Sequence, residues 1–256
     1  MKIAVIGGTG LIGSKVVELL TAYGHDAVAA SPNSGVDTIT GEGVAEALVG
    51  ADVVVDVSNS PSFADDDVLA FFTTSTGNLL AAEREAGVGH HVALSVVGAE
   101  RLPASGYLRA KVAQEQLIRE SGRPYSIVRA TQFYEFVGRI ADEATVDGVA
   151  RLSTGLMQPI AAADVSASVA RVAAGAPVNG TLEIGGPERL PMDEFIRRGL
   201  GAAGDPRKVM GDADALYFGT RLSGDELTPG PDAQLSTTSF GEWLAARATT
   251  TAAAAR

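Results

Sequence analysis

Short apolar runs, rich in β-branched residues, alternate with longer runs of helical periodicity over residues 1–130. Runs of the first kind are typical of strands that a parallel sheet buries on both faces. They occupy Ile3–Ile6, Asp26–Ala30, Val36–Ile39, Asp52–Val57, Val92–Val97 and Tyr125–Ala130. The alternation predicts an α/β fold, in which a doubly wound and mainly parallel sheet carries helices on both faces and a small C-terminal substrate lobe follows.

The first predicted strand ends in a glycine-rich turn, and a helix follows it at once. The glycines are spaced Gly7-x-x-Gly10-x-x-Gly13, and apolar residues at helical spacing begin at Leu11. Glycines let the backbone approach a pyrophosphate, and the helix N-terminus attracts its negative charge. The pattern predicts a dinucleotide site, with a tight turn in some other α/β protein as the alternative. The candidate cofactor residues here are Gly7, Thr9, Gly10, Leu11, Ile12 and Gly13.

The tip of the second predicted strand is where a dinucleotide-binding fold reads the adenosine ribose. An acidic residue at this tip favours NAD, whereas a neutral, phosphate-accepting tip allows NADP. The chain has Ser31-Pro32-Asn33-Ser34-Gly35 there, and the first carboxylate after the strand is Asp37. We therefore expect NADP, with NAD and an ordinary turn left open as alternatives. The candidate donors to the 2′-phosphate are Ser31, Asn33 and Ser34.

Two later loops leave the carboxyl edge of the predicted sheet, where ligands bind in such folds. Ser58 and Asn59 follow the strand at Asp52–Val57, so they are candidate contacts to the cofactor. A second loop follows Tyr125–Ala130 and mixes aromatic with polar residues. The candidates for lining a substrate pocket are Gln132, Phe133 and Phe136. A turn role for the first loop and core packing of the phenylalanines are the alternatives.

Three residues around the fifth predicted strand have the chemistry for acid–base catalysis. Ser95 lies near the end of that strand, and Tyr107 and Lys111 share one face at the start of the next helix. A phenol has an ordinary pKa of about 10, and an ammonium beside it lowers that value. The constellation predicts proton transfer by Tyr107; a surface Tyr–Lys pair with a buried serine is the alternative.

The glycine spacing, together with Ser95, Tyr107 and Lys111, resembles the short-chain dehydrogenase/reductase superfamily, in its extended and atypical branches with a Rossmann fold. The resemblance implies an NAD(P)H-dependent oxidoreductase. In such an enzyme Lys111 would also hold the nicotinamide ribose, Tyr107 would protonate a carbonyl oxygen, and Ser95 would hydrogen-bond that oxygen. The chain also resembles NmrA-like proteins, an atypical branch, over residues 121–136, 159–165 and 183–188.

The resemblance implies reduction of a carbonyl or quinone-like small molecule. Many NmrA-like proteins lack the catalytic tyrosine and act as redox sensors, but this chain keeps Tyr107 and Lys111, which favours an enzyme. A non-catalytic NADP(H) sensor with a regulatory partner remains the main alternative, and an epimerase or isomerase is a third.

Composition narrows the choice of partners. The 256 residues include 31 acidic and 20 basic side chains, a formal charge of −11, which disfavours nucleic acid and anionic membranes. No cysteine and only three histidines are present, so we expect no metal site. The strand at the N-terminus leaves no room for a signal peptide, so we expect a cytoplasmic protein. Monomer and dimer both stay open.

The predicted organisation has a dinucleotide-binding core over residues 1–150. The remaining sheet elements and the small substrate lobe are expected over 151–245, and a flexible Ala/Thr-rich tail over 246–256. Asp164 is expected to cap a helix over Val165–Ala174. His90 and His91 are adjacent on a strand and face opposite sides, which favours a structural role for both.

Overall fold

A computed structural model describes the backbone of residues 1–254 and the side chains of residues 1–249. Its strands are β1 (Lys2–Ile6), β2 (Asp26–Ala30), β3 (Val53–Asp56), β4 (His90–Val96), β5 (Tyr125–Ala130), β6 (Thr145–Val146), β7 (Val149–Leu152), β8 (Leu156–Met157), β9 (Gly180–Gly185), β10 (Leu190–Pro191), β11 (Lys208–Gly211), β12 (Leu216–Tyr217), β13 (Thr220–Arg221) and β14 (Gln234–Leu235). Its α-helices are α1 (Gly13–Ala22), α2 (Val44–Leu48), α3 (Asp65–Ala86), α4 (Gly106–Glu120), α5 (Val137–Glu143), α6 (Ala162–Ala174), α7 (Met192–Ala202) and α8 (Phe240–Ala254).

The central sheet has seven strands in the order β14-β9-β5-β4-β3-β1-β2. Strand β1 pairs in parallel with β2 and β3, β3 pairs in parallel with β4, and β9 with β14. Helices connect the successive strands, as crossovers between parallel neighbours require. This architecture confirms the predicted doubly wound, mainly parallel α/β fold.

Apolar side chains from the strands and the flanking helices form the core beside β1 and β3. The strands are apolar on both faces because helices cover them. Members of this cluster include Ala4, Ile6, Leu48, Val54 and Leu79. Asp56 and Ser95 are buried polar exceptions near the carboxyl ends of β3 and β4. They mark the edge of the sheet at which a polar site is expected.

The predicted strand at Val36–Ile39 is wrong. A 3₁₀ turn at Pro32–Ser34 and further turns occupy this stretch, so β2 is the last strand on that side of the described sheet. The Asp37 carboxylate accepts hydrogen bonds from two following backbone N–H groups, at 2.8 and 3.3 Å. The Asn78 side chain on α3 donates to two carbonyl oxygens of the segment, at 2.8 and 3.0 Å. These bonds satisfy backbone groups that a sheet ladder would otherwise satisfy.

The chain forms two compact units. The first comprises Met1–Arg129 and Val165–Leu182, and the second comprises Ala130–Asp164 and the chain from Glu183 onward. The polypeptide passes from one unit to the other after residues 129, 164 and 182. Each unit is therefore assembled from two separate segments. As divisions of function, the boundaries expected after residues 150 and 245 stay predictions.

The second unit has small sheets of its own and an aromatic core. The sheets have the orders β11-β7-β6, β10-β8 and β12-β13. Tyr134, Phe195, Phe240 and Trp243 form the core, with centroids of contacting rings 4.6–6.2 Å apart. Because Phe240 and Trp243 belong to α8, this core anchors the helix. Residues 246–254 of the expected tail are helical, and residues 255 and 256 lie outside the described part.

Helix α6 begins earlier than expected. It starts at Ala162, so Asp164 lies in its first turn rather than at the cap. The carboxylate still lies near the positive end of the helix dipole. None of the described helices combines the length and the apolar character needed to cross a membrane.

The two adjacent histidines of β4 have separate partners. His90 Nε2 lies 2.9 Å from Ser126 Oγ, and His91 Nδ1 lies 2.7 Å from the Glu83 carboxylate. All four side chains are buried. The predicted structural role of both histidines is confirmed.

Candidate active site

Three glycines of the turn after β1 lie where a Cβ would meet the backbone. Gly7 has a φ of +76°, a conformation that L side chains rarely adopt. A Cβ on Gly8 would lie 2.6 Å from Ala29 Cα, and one on Gly13 would lie 2.7 Å from Gly8 Cα and collide with Gly7 O. The turn closes through Gly10 N, which donates to Gly7 O at 3.0 Å. Strand, turn and helix therefore pack backbone against backbone.

The rim of this turn is open to solvent and ends at the N-terminus of α1. Thr9, Gly10 and Leu11 are exposed, whereas Ile12 and Gly13 are buried. Ile12 is the residue that precedes the helix, and its carbonyl oxygen accepts a hydrogen bond from Ser166 Oγ of α6 at 3.3 Å. Exposed backbone at a helix N-terminus is a ready site for an anionic group.

The tip of β2 places one buried hydroxyl in a polar turn. Ser31 is 5% exposed, and its Oγ has no hydrogen-bond partner among the described residues. Ser34 Oγ accepts from Ser31 N and donates to Ser31 O, at 2.9 and 3.0 Å, so it holds the turn. Asn33 is exposed. Of the three expected phosphate donors, Ser31 is thus the one with a free buried group, and Ser34 already has a structural task.

The loop after β3 passes directly against the glycine turn. A Cβ on Gly7 would lie 2.9 Å from Ser58 N. Ser58 N and Oγ both donate to Asp56 Oδ1, at 3.0 and 2.6 Å, so the hydroxyl proton of this candidate cofactor residue is used within the protein. Asn59 is exposed, and its Oδ1 accepts from Ser60 N at 3.1 Å.

Tyr107 lies in the first turn of α4, within an aromatic cluster. Ser105 caps this helix, accepting a hydrogen bond from Leu108 N at 3.4 Å. The Tyr107 ring is half-buried, with its centroid 5.4 Å from that of Phe63 and 6.2 Å from that of Phe72. The two phenylalanines come from the loop before α3 and from α3 itself. They hold the tyrosine at the N-terminal end of α4.

Lys111 is buried one turn further along α4. Its Nζ donates to Leu94 O at 2.9 Å and to Gln114 Oε1, and it lies 4.2 Å from the centroid of Phe72. Burial lowers the pKa of Lys111 to about 8, against the opposing attraction of Asp56 and Glu115. Tyr107 and Lys111 therefore contact the same Phe72 ring. The ammonium uses two of its donors within the protein, one of them on the backbone of β4.

Ser95 lies beside a different group of α4. It is 3% exposed, and its Oγ falls short of hydrogen-bond geometry to any described group. Although burial alone would raise the pKa of Glu115, its hydrogen bonds to Arg129 lower that pKa, and the nearby Ser95 hydroxyl favours the charged carboxylate further. Arg129 makes two bonds of 2.8 Å to this carboxylate. The structure thus brings Tyr107 and Lys111 to one ring and places Ser95 next to a buried Glu–Arg pair.

The expected pocket residues belong to the second unit. Phe133 and Phe136 are half-buried, and their rings stack with centroids 5.1 Å apart. Gln132 is 6% exposed, and neither polar atom of its amide has a partner among the described residues. Ile160 N donates to the Gln132 carbonyl oxygen, which fixes the backbone there. A buried amide without partners is costly, so it suggests a site that a ligand completes.

Three residues of the candidate site were not predicted from the sequence. Asp56 interrupts a run of valines at the end of β3, and that break was the visible signal. Gln114 follows Lys111 by three residues on the same helix, so the spacing already indicated that the two side chains share one helix face. Phe63 had none, because its contact with Tyr107 depends on how the loop before α3 folds.

These features define a class of protein, namely α/β proteins in which a glycine turn is suited to bind the diphosphate of a nucleotide. The model of an NAD(P)H-binding family matches residues 7–175. The chain belongs to this family, so the predicted nicotinamide dinucleotide cofactor is confirmed. No curated protein matches the chain.

Solved structures with the same fold hold NAD or NADP. MoeE5, in complex with UDP-glucose and NAD, has a TM-score of 0.80 at 18% identity over 100% of both chains. The dTDP-4-dehydrorhamnose reductase of Bacillus anthracis, in complex with NADP, has a TM-score of 0.73 at 15% identity, over 95% of this chain and 96% of its own. The NADPH-dependent quinone oxidoreductase QOR2 of Escherichia coli has a TM-score of 0.64 at 22% identity, over 82% and 77%.

At these identities the likeness shows the fold. With the family match it confirms the predicted NAD(P)-binding protein with a Rossmann-type fold. The NmrA-like subtype stays a prediction.

Proposed function

We propose that the protein is an NADPH-dependent reductase that acts on a carbonyl or quinone-like small molecule. The observation that carries this proposal is the pairing of Tyr107 with Lys111 on one aromatic ring, at the start of a helix, in an NAD(P)H-binding chain. A phenol near a buried cation is a suitable proton donor for carbonyl reduction.

The residues present fit the cofactor. A Cβ at Gly7, Gly8 or Gly13 would meet backbone, and the turn ends in exposed backbone at a helix N-terminus, which suits the diphosphate. The unpartnered Ser31 hydroxyl, with Asn33 beside it, would donate to a 2′-phosphate. Because the chain carries a net charge of −11, such local donors must outweigh the overall field. The cofactor supplies a hydride.

The protein's part in the reaction is to move one proton. Tyr107 gives its hydroxyl proton to the substrate oxygen as hydride reaches the carbon, so a carbonyl becomes an alcohol and solvent later reprotonates the phenolate. Lys111 would favour that phenolate electrostatically, because its buried charge lies against the Phe72 ring that Tyr107 also contacts. Ser95 would stabilise the developing oxyanion by turning its hydroxyl, which lies beside Glu115, to the substrate.

The residues proposed to bind the substrate follow β5 in the chain. The stacked Phe133 and Phe136 rings suit a planar apolar substrate, and the unpartnered Gln132 amide would bond its polar group.

A non-catalytic NADP(H) sensor is the second candidate, favoured by one observation. Lys111 spends two of its donors on Leu94 O and Gln114 Oε1, so fewer remain for a nicotinamide ribose than the superfamily resemblance implies. In a sensor, the lysine would be purely structural.

Substitution of Tyr107 separates the two functions. In Tyr107→Phe we expect kcat with NADPH, over a panel of aldehydes and quinones, to fall at least about 100-fold, because the proton donor is lost. NADPH affinity, measured by fluorescence titration, should stay unchanged.

The matched control is Tyr23→Phe, since Tyr23 is 52% exposed at the end of α1 and should change neither quantity. A wild-type protein that binds NADPH but reduces nothing on the panel would favour the sensor. A Tyr107→Phe variant with full activity would overturn the assigned proton donor.

A further inference from the structure

A buried polar chain joins the end of β3 to the middle of α4. Asp56 Oδ2 accepts a hydrogen bond from Gln114 Nε2 at 3.0 Å, and Gln114 Oε1 accepts one from Lys111 Nζ. The exposed fractions of Asp56, Gln114 and Lys111 are 2%, 1% and 3%. An anion and a cation are thus linked inside the protein through one amide.

The two ends of this chain are also satisfied. Asp56 Oδ1 accepts both polar hydrogens of Ser58, and Lys111 Nζ donates to Leu94 O while facing the Phe72 ring. Buried charges are tolerated only when they are paired and fully hydrogen-bonded, and an aromatic face adds attraction for an ammonium. The arrangement therefore holds the lysine at one place, against the ring that Tyr107 also contacts.

Gln114 is the element that keeps the two charges apart. Its amide donates to the carboxylate with one end and accepts from the ammonium with the other, so Lys111 stays at Phe72 and Leu94 instead of moving to Asp56. A carboxylate at position 114 would bind the ammonium directly, and an apolar side chain would leave both charged groups short of a partner.

We propose that Asp56 and Gln114 are positioning residues that keep the Lys111 ammonium charged and seated against Phe72, and thereby set the electrostatic environment of Tyr107. The catalytic consequence rests on the proposed function, whereas the state of the lysine does not. Ser58 extends the same chain to the glycine turn, because its backbone N would lie 2.9 Å from a Cβ on Gly7.

Charged and neutral groups around Lys111 set the direction of each substitution. Asp56 faces it from β3 and Glu115 from α4, while α3 and β4 contribute the neutral Phe72 ring and Leu94 O. Removal of the Asp56 charge should lower the pKa of Lys111, and a new carboxylate at position 114 should raise it.

The test is a direct titration of the lysine in the full-length protein. The chain has only four lysines, Lys2, Lys15, Lys111 and Lys208, so NMR of lysine labelled at Nζ resolves each one. We expect Asp56→Asn to move the Lys111 midpoint down by about one pH unit and Gln114→Glu to move it up by a similar amount. Gln116→Glu, on the exposed side of the same helix, is the matched control and should leave it in place.

Activity supplies the second readout. Gln114→Leu should lower kcat about tenfold at unchanged NADPH affinity, because the lysine loses its anchor while the cofactor turn stays intact. Gln114→Glu should retain more activity than Gln114→Leu, since a carboxylate still anchors the ammonium.

The outcomes separate the two proposals. A lysine midpoint that is the same in wild type, Asp56→Asn and Gln114→Glu overturns the positioning role, whatever the activity. A lysine that shifts as stated in a protein inert towards every carbonyl and quinone supports the linkage and overturns the reductase. If Asp56→Asn fails to fold, Gln114→Glu carries the titration, and a midpoint that does not rise overturns the proposal.

Discussion

Ser31 shows how much a single side chain can decide. Its hydroxyl is buried at the end of β2 without a partner, at the position where related folds distinguish the two nicotinamide cofactors. An unpartnered buried hydroxyl is costly, and a phosphate oxygen would relieve that cost. The expected preference for NADP therefore depends on this one residue more than on the whole acidic surface.

Replacement of Ser31 by aspartate tests that preference. In Ser31→Asp we expect the Kd for NADPH to rise about tenfold or more, about 1.4 kcal/mol, because the carboxylate repels a 2′-phosphate. The Kd for NADH, measured by the same fluorescence titration, should change less or fall. Ser31→Ala, which removes only the hydroxyl, should weaken NADPH mildly; equal losses for both cofactors in Ser31→Asp would contradict the assignment.

The sequence predicts residue types at this site better than it predicts their contacts. The spacing of Tyr107 and Lys111 indicated a shared helix face, and both do contact Phe72. The hydrogen bonds of Lys111 could not be predicted, because its amide partner bonds a carboxylate 58 residues earlier in the chain. Which groups a buried polar atom meets depends on strand packing, and local spacing carries no information about that.

Some secondary-structure elements are determined by the residues within them, whereas others depend on contacts with distant parts of the chain. Strand β1, the glycine turn and α1 follow from neighbouring residues, since the apolar run, the glycines and the helical apolar pattern lie next to one another in the sequence. The segment at 36–39 has β-branched residues typical of a strand, yet it forms turns. The Asp37 carboxylate and the amide of Asn78, which lies on another element, satisfy its backbone. In this segment, hydrogen bonds from side chains to the backbone outweigh the intrinsic strand preference of the residues.

Gly13 is where the turn–helix element is most sensitive. In Gly13→Ala the new methyl group meets only backbone atoms, so α1 or the turn must shift. We expect a loss of about 1–3 kcal/mol in the free energy of unfolding, measured with denaturant, and weaker NADPH binding. Gly77→Ala is the matched control, an exposed helical site with open space, and should stabilise by about 0.5–1 kcal/mol. A Gly13→Ala protein with normal stability and affinity would mean the turn is not this tight.

Stability of the whole molecule depends on buried titratable groups as well as on its apolar core. Burial lowers the pKa of His91, but attraction and hydrogen bonding to Glu83, with help from Asp56, raise it overall against an opposing Arg123. Burial and the neighbouring His91 lower the pKa of His90 to about 4. The two histidines therefore give folding opposite dependences on pH.

The sign for His91 follows from its raised pKa. Its stabilising contribution is fully present below the unfolded value of about 6.5 and is lost as the pH rises through the folded value. We expect the free energy of unfolding of wild type to decline over that window, and His91→Gln, followed by denaturant unfolding from pH 6 to 9, to lack the decline. His25→Gln, which alters a histidine outside this buried pair, should keep it. A decline that persists in His91→Gln would assign the effect to another group.

Because each unit is built from two separate segments of the chain, the order of synthesis on the ribosome limits when a unit can fold. The unit that holds the glycine turn includes Val165–Leu182. Within it, Ser166 Oγ donates a hydrogen bond to the carbonyl oxygen of Ile12, which lies 154 residues earlier in the chain. A nascent chain that ends after β5 has the phosphate loop but not the helix that braces it. Completion of the nucleotide half must wait for synthesis of residues far beyond the loop, so a truncated gene product stopping at that strand would be released without its brace.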